Sequence, residues 1–405
     1  MKRLFIDATS TIETGINTGI QRVVRNICRY VTDYAHKEGV ECHIVAFDGR
    51  QFRLISDLSF ILNQPVPQKE TLINKIESKI VNKFFSSMRP LLKRLHRQLK
   101  IGSTAPQWMP LDGDVLLLAD ATWNYQPWSA LRDASRVNLK VLQIVYDLLP
   151  IKHPEFFVPE LARKFNSWWV ISGYYLDARL CISESVADDV RLLMPETMKP
   201  GSQTKSFPLG SDFNLGVISD HGDKCVSKYI KDGGGNLFLM VGTLEPRKNH
   251  AFVIDAFDRA RSQGADIRLL IVGRQGWKSE ELIQRINGHP EFGLALIWLE
   301  HCSDTELGHC YQNADALIAA SVDEGYGLPI IEAENYGLVV LASDIKVFRE
   351  VANSNVQFFD LDDVGQLADK LSQFQAGMEM AGREKIDRAT WESSSKYLYD
   401  IVKSL

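Results

Sequence analysis

The stretch LFLMVGTLEPRKNHAFVIDAF, Leu237–Phe257, holds the fold in miniature. Its first six residues form a continuous apolar run ending at Gly242, the pattern of a strand buried on both faces. Two cations, Arg247 and Lys248, then stand ahead of a helical pattern. A buried strand that turns through glycine into a helix is the repeating unit of a parallel sheet covered on both sides.

The same unit recurs on either side. Downstream lie the predicted strands IRLLIVG (267–273), LALIWL (294–299), ALIAAS (316–321), LVVLAS (338–343) and VQFFD (356–360). Upstream lie RLFI (3–6), CHIVAF (42–47), DVLLLA (114–119), KVLQIVY (140–146) and ARLCIS (178–183), with helices predicted over 19–34, 160–176 and 184–193. Between the two series, DKCVSKYIKDGGGN (223–236) reads as a linker. At 405 residues the chain is longer than one core ordinarily supports. The expected architecture is therefore α/β, with two Rossmann-like doubly wound domains facing a cleft. Their expected extents are 1–220 and 221–375, with residues 376–405 closing the chain.

Composition narrows the function classes. Hydrophobic residues make up 45% and charged residues 24%, the balance of a globular protein. With a net charge of −5, no overall basic surface points to nucleic acid. Cys28, Cys42, Cys181, Cys225, Cys302 and Cys310 show no zinc-like spacing and read as reduced thiols of a cytoplasmic protein. The opening MKRLFIDATS is too short in apolar residues for a signal-peptide core, and no run approaches the roughly 20 apolar residues of a spanning helix.

Ligands of doubly wound sheets sit beyond the carboxyl ends of the strands, where three glycine-bearing turns of this chain fall. In TGINTGIQRVVRNI, Gly15 and Gly19 precede a helix whose amino end offers amides to an anion, although such turns are also plain connections. In the turn after Gly242, Arg247 supplies a planar fork and Lys248 a point charge, a pair suited to a diphosphate. Standing alone, the same pair reads equally as a solvated basic turn. The third turn lies in SVDEGYGLPIIEAENYG, Ser321–Gly337. Pro329 suits the first position of a helix, which leaves Glu324 in a loop and Glu332 near the first helical turn. The amides of Gly327 and Leu328 then face an anion between two carboxylates. Glu332 alone would also fit a simple helix-dipole role, worth about 0.3–1 kcal/mol.

VGTLEPRKNH followed by SVDEGYGLPIIEAENYGLVVLASD resembles the retaining, nucleotide-sugar-dependent glycosyltransferases of family 4, which have the GT-B fold and a Glu-x7-Glu motif, here Glu324 and Glu332. FPLGSDF (207–213) and HCSDTELGHCYQNADALIAAS (301–321) extend the likeness, and IVYDLLPIKHPEFF (144–157) and CISESVADDV (181–190) carry it more loosely into the amino half. The resemblance implies an enzyme of bacterial surface-polysaccharide assembly. Its donor would be a GDP-, UDP- or TDP-hexose, with GDP-mannose the first expectation, and its acceptor a glycan or lipid-linked glycan. The implied donor site comprises Gly242, Thr243, Arg247, Lys248, Gly273, Arg274, Glu324, Gly325, Tyr326, Gly327, Leu328 and Glu332. Lys248, Arg247 and the amides of Gly327 and Leu328 would bind the diphosphate, Glu332 the ribose, and Glu324 the transferred sugar. Asp147, Lys248 and Glu324 are the implied catalytic groups, and Gly19 and Asp147 lie on the acceptor side.

Three departures stand out. Thr243 replaces the arginine that many members carry after the glycine, Tyr146 replaces the histidine of a His-Asp pair, and Gly337-Leu338-Val339-Val340 replaces Gly-x-Pro-Val. No tightly bound cofactor and no metal are implied: Asp112–Asp114 enters the wrong end of a strand, and Asp360–Asp362 resembles a capping turn. Other enzymes of this fold, such as a sugar-nucleotide epimerase or a phosphorylase, and a noncatalytic sugar-nucleotide-binding module are the alternatives.

Two segments lie outside the motifs. In residues 71–102, eight cations face one acid, and apolar residues recur every three or four positions, with Pro90 as a kink. This suits either an amphipathic surface on anionic membrane or a helix packed on its own domain, and both readings stay open. Residues 383–405 read as a closing helix, for which the resemblance implies a return to the amino-terminal domain with Trp391 as anchor. His153 and His301 are expected near the cleft as structural residues.

Overall fold

The computed structural model describes residues 1–14, 19–62, 101, 105–212, 234–353, 355–374 and 389–405. They build two sheets. The first contains β1 (Arg3–Asp7), β2 (Glu41–Phe47), β3 (Phe52–Leu54), β4 (Val115–Leu118), β5 (Lys140–Val145), β6 (Ala178–Cys181) and β7 (Gln203–Ser206). Their order is β3-β2-β1-β4-β5-β6-β7, parallel throughout except for β3, which runs antiparallel to β2. The second contains β8 (Asn236–Val241), β9 (Ile267–Val272), β10 (Leu296–Leu299), β11 (Ala316–Ala319), β12 (Val339–Ser343) and β13 (Val356–Phe359), in the all-parallel order β10-β9-β8-β11-β12-β13. Both orders reverse at their first strand, between β1 and β4 and between β8 and β11. These are the switch points where such sheets open a crevice.

The apolar runs form central strands because alternate side chains meet different layers, and here both layers are apolar. Leu4 and Ile6 of β1 join a core with Leu117, Ile144 and the helix Gly19–Lys37, whereas Phe5 packs with Phe47, Leu116 and Trp108 on the opposite face. In β8, Phe238 and Met240 face the helix His250–Ser262, while Leu237 and Leu239 pack with Tyr311, Ile330 and Phe348. Truncating one such fully buried leucine to alanine costs about 2–5 kcal/mol.

Two strands escape the sequence pattern. QTKS of β7 alternates exposed and half-buried residues, and β3 has only three residues. Both are edge strands, which pair on one side and need no continuous apolar run.

The last helix, Trp391–Ser404, lies on the helix Gly19–Lys37 of the first sheet, with Trp391, Leu398, Tyr399 and Val402 buried beside Val24, Ile27 and Val31. Lys403 pairs with Glu38 at 2.6 Å, and Tyr34 bonds Glu392 at 3.1 Å. Gly210 lets the chain pass, since a Cβ there would lie 2.3 Å from the Trp391 amide.

Of the basic segment 71–102, all but Ile101 lies outside the described residues, as do Gly15, Cys225 and the linker up to Gly233. The other five cysteines are free thiols. Among the described residues no helix is long and apolar enough to cross a membrane.

Candidate active site

The switch point of the second sheet brings two of the three turns together. β8 is followed directly by Gly242, whose φ of 151° favours glycine, and a Cβ there would sit 3.3 Å from the Lys248 side chain. Gly273, after β9, is packed so closely that its Cβ would lie 1.8 Å from the Gly242 carbonyl oxygen. Residues Pro246–Lys248 form one 3-10 turn, and Asn249 at φ 58° leads into the helix His250–Ser262. This path aims both cations at the loop after β11.

In that loop, Glu324 accepts from Arg247 Nη1 at 2.7 Å, from Ser321 Oγ at 2.8 Å and from Lys248 Nζ. Arg247 Nε also donates to Glu245 at 2.9 Å, and the Arg247 carbonyl accepts from Val322 N at 2.8 Å, tying the two turns by backbone as well. Burial opposes charge on Glu324, but Arg247 and Lys248 outweigh it and pull its pKa down to about 2. Burial likewise works against Arg247, yet Glu324, Glu245 and Asp147 hold its guanidinium above the ordinary value. The result is a preformed cluster of two cations and a permanently ionised acid.

The first sheet closes on this loop. Gly325 abuts the end of β5 so tightly that a Cβ would lie 2.0 Å from the Tyr146 carbonyl oxygen, and Ser183 Oγ donates to the Gly325 carbonyl at 2.8 Å. Tyr326 is buried, its hydroxyl accepting from Leu209 N at 2.9 Å. Asp323 pairs with Lys152 at 2.5 Å and with His153 at 3.1 Å, and Lys152 also reaches Asp189 at 2.7 Å. Asp147 arrives from the end of β5; burial raises its pKa, and Arg247 is the largest influence opposing that rise. Tyr146 is buried and donates to the Ala119 carbonyl at 2.6 Å, a packing role in place of a histidine.

Gly327, at φ 96°, caps the helix Leu328–Asn335. Leu328, not Pro329, is therefore the first helical residue, and Pro329 is the second. Glu332 accordingly falls in the second turn, away from the unpaired amides of the helix start, so the dipole reading does not fit it. It is 4% exposed, and its oxygens accept from Arg22 Nη1 at 2.5 Å and from Tyr311 Oη at 2.8 Å. Arg22 belongs to the helix that begins at Gly19, and the space beside Gly19 is bounded by Leu328 at 3.6 Å. The helix that begins at Gly19 and the Glu-x7-Glu helix thus meet. Thr243 and Gly242 lie in the same turn as the cations, whereas the Arg274 side chain is exposed to solvent, with its carbonyl accepting from Leu244 N at 2.9 Å.

Sequence reasoning missed Arg22 and Tyr311, although GIQRVVRNI displays Arg22 one turn after Gly19. It also missed a buried carboxyl pair at the other switch point. Asp7, at the end of β1, accepts from Thr9 N at 3.1 Å and from the Tyr125 hydroxyl, and Asp120 accepts from Thr11 N at 2.6 Å. Burial, and then the Asp120 charge, push Asp7 up to about 7. The DxD carboxylates have structural partners. Asp114 binds Arg3 at 2.6 Å, and Asp360 accepts from Asp362 N at 2.9 Å. His301 is exposed. Among the described residues no three metal-ligating side chains gather.

Two doubly wound sheets meeting at a charged switch point define the GT-B fold, and solved structures agree. Sucrose-phosphate synthase from Thermosynechococcus elongatus matches with a TM-score of 0.65 at 18% identity over 100% of this chain and 99% of that one. HepE from Anabaena, in complex with UDP and glucose, matches at 0.57 with 14% identity over 100% and 97%. Residues 224–386 match the family model of glycosyl transferases group 1. The serotype-specific mannosyltransferase WbdA of Escherichia coli is 35% identical over 264 residues, 63% of this chain and 32% of that protein. The O-antigen chain mannosyltransferase RfbU of Salmonella typhimurium is 28% identical over 243 residues, 57% of this chain and 62% of that protein. The chain spans about a third of the length of WbdA, the first of these relatives. The family model and these relatives are described as glycosyltransferases, and the likeness to the family model lies in residues 224–386.

Proposed function

We propose that the chain transfers a hexose, mannose from GDP-mannose in the first instance, to a hydroxyl of a glycan acceptor during surface-polysaccharide assembly. The observation that carries this reading is the Glu324 carboxylate held by Arg247 and Lys248 at the β8/β11 switch point. The named relatives are mannosyltransferases, which favours mannose over other hexoses.

The cluster supports a charge exchange. An incoming diphosphate competes with Glu324 for Arg247 and Lys248, releasing the carboxylate to accept hydroxyl hydrogens of the transferred sugar. As the nucleoside diphosphate departs, negative charge grows on the β-phosphate oxygen. Cations already in place stabilise that state more than the ground state, because they need no reorganisation. Glu324, held at about 2, stays ionised throughout. Glu332 takes the ribose hydroxyls, and Asp147 stands at the acceptor side. Transfer proceeds with retention, the leaving phosphate accepting the acceptor's proton, and without a metal. The acceptor is lipid-linked, and the enzyme works at the cytoplasmic face of the membrane, with residues 71–102 as its contact with anionic lipid.

The test is a thermal-shift screen against GDP-, UDP- and TDP-hexoses, followed by turnover of Lys248→Ala. A stabilising donor and a turnover loss of about a hundredfold are expected, the scale of one electrostatic contact to a developing oxyanion. Wild-type turnover in the variant would remove Lys248 from the mechanism.

A further inference from the structure

Among the described residues, Glu332 takes its two side-chain partners from the units of different sheets. Tyr311 comes from the helix Asp304–Asn313, on the same sheet as Glu332, and fills Oε2. Arg22 comes from the first sheet and fills Oε1, so the oxygen presented across the cleft is the one taken by the guanidinium. The other Arg22 nitrogen, Nη2, lies 3.4 Å from Asp304 Oδ1. Burial disfavours the Arg22 charge, but Glu332 and Asp304 more than compensate.

The other end of the proposed donor site shows the same arrangement with the signs reversed. There the cations for a diphosphate are neutralised by Glu324; here the acid for a ribose is neutralised by Arg22. A buried carboxylate left without a cation is costly, and each of these charges has a partner from within the chain.

We propose that Arg22 is a latch that occupies the ribose place on Glu332, so that binding of a nucleoside diphosphate must break the Arg22–Glu332 bridge between the two sheets. The inference rests on the reading of Glu332 as the ribose acceptor. Two ribose hydroxyls replace the guanidinium on the carboxylate, and Asp304, already beside Nη2, receives the displaced charge. Apparent affinity is lowered by the fraction of molecules in which the latch is closed. A ligand with phosphates but no ribose meets the Glu324 pair alone and is indifferent to Arg22.

Calorimetric titration of GDP, UDP and inorganic pyrophosphate into the wild-type chain and Arg22→Gln separates these contributions. The variant is expected to bind the nucleotide that the wild type prefers about tenfold tighter, the scale of one charge-assisted hydrogen bond, with pyrophosphate affinity unchanged. Weaker nucleotide binding would overturn the latch and make Arg22 a donor contact. Equal tightening toward pyrophosphate would overturn it too, by placing the effect away from the ribose. Asp304→Asn tests the same idea with the opposite sign: it removes the receiving acid and is expected to weaken nucleotide binding about threefold, and unchanged binding would count against the latch. The ribose reading is tested separately with a nucleoside diphosphate lacking both ribose hydroxyls. Wild-type affinity equal to that for the parent nucleotide would remove Glu332 from the ribose, whereas a loss there with no tightening in Arg22→Gln would sink the latch alone.

Discussion

Glu324→Gln keeps the shape of the side chain and removes its charge, leaving Arg247 and Lys248 without their shared acid. Folding lowers the Glu324 pKa from 4.5 to about 2. At ~1.4 kcal/mol per pH unit, that gap corresponds to roughly 3 kcal/mol of stability at neutral pH. Because the folded value lies below the unfolded one, this stabilisation is complete above about pH 4.5 and is lost as pH falls through about 2. If the second sheet and its helices melt as one unit, the variant should melt ~6–12 °C below wild type near neutral pH. A diphosphate restores the missing negative charge, so saturating pyrophosphate or GDP should raise the variant's melting temperature by more than it raises the wild type's. Turnover should not return, since no carboxylate remains to hold the sugar. Differential scanning fluorimetry with and without ligand reads the first two effects, and a coupled release assay for the nucleotide reads the third. A variant that melts with wild type, or gains no more than wild type from ligand, would refute the idea that Glu324 occupies the diphosphate's place.

Asp7→Asn addresses the buried acid at the other switch point. With a folded pKa of about 7 against 3.8, the folded chain holds a proton that the unfolded chain gives up, so stability falls as pH rises through that window and levels off above about 7. The variant should flatten this slope in urea midpoints taken between about pH 5 and about pH 8, and an unchanged slope would clear Asp7. In Gly325→Ala the new methyl meets the Tyr146 carbonyl at 2.0 Å, so the loop must back away from β5. Overpacking of this kind costs about 1–3 kcal/mol, and a turnover drop of at least about tenfold with unchanged circular dichroism is expected. Full turnover would show that the loop tolerates displacement. Finally, turnover should survive chelation by EDTA; abolition reversed by magnesium would return the Asp112–Asp114 and Asp360–Asp362 carboxylates to consideration.

The alternation of apolar runs and helices was legible because central parallel strands must be apolar on both faces. Every central strand announced itself, and the two missed strands, β3 and β7, are edges with one partner. The cations and Glu324 were legible because glycines at 242 and 327 fix the turns that carry them. Arg22 and Tyr311 were not. Their partner, Glu332, lies 310 residues from Arg22 in sequence, and a helical arginine with no acid nearby looks like any solvated surface residue. Asp7 and Asp120 were hidden for a related reason: each reads as the polar end of a strand until the fold buries both. The glycine turn at 15–19 and the basic segment keep only the chemistry of their sequence, since Gly15 and all of 71–100 lie outside the described residues.

The last helix, Trp391–Ser404, braces the helix that bears Arg22, although the chain reaches it only after completing the second sheet. For anyone building chimeras, the seam between the halves is therefore not a single cut. A graft of the second sheet from a relative with another donor needs the host's own final helix restored behind it. Otherwise the foreign helix would rest against Val24, Ile27 and Val31 and shift Arg22 with them.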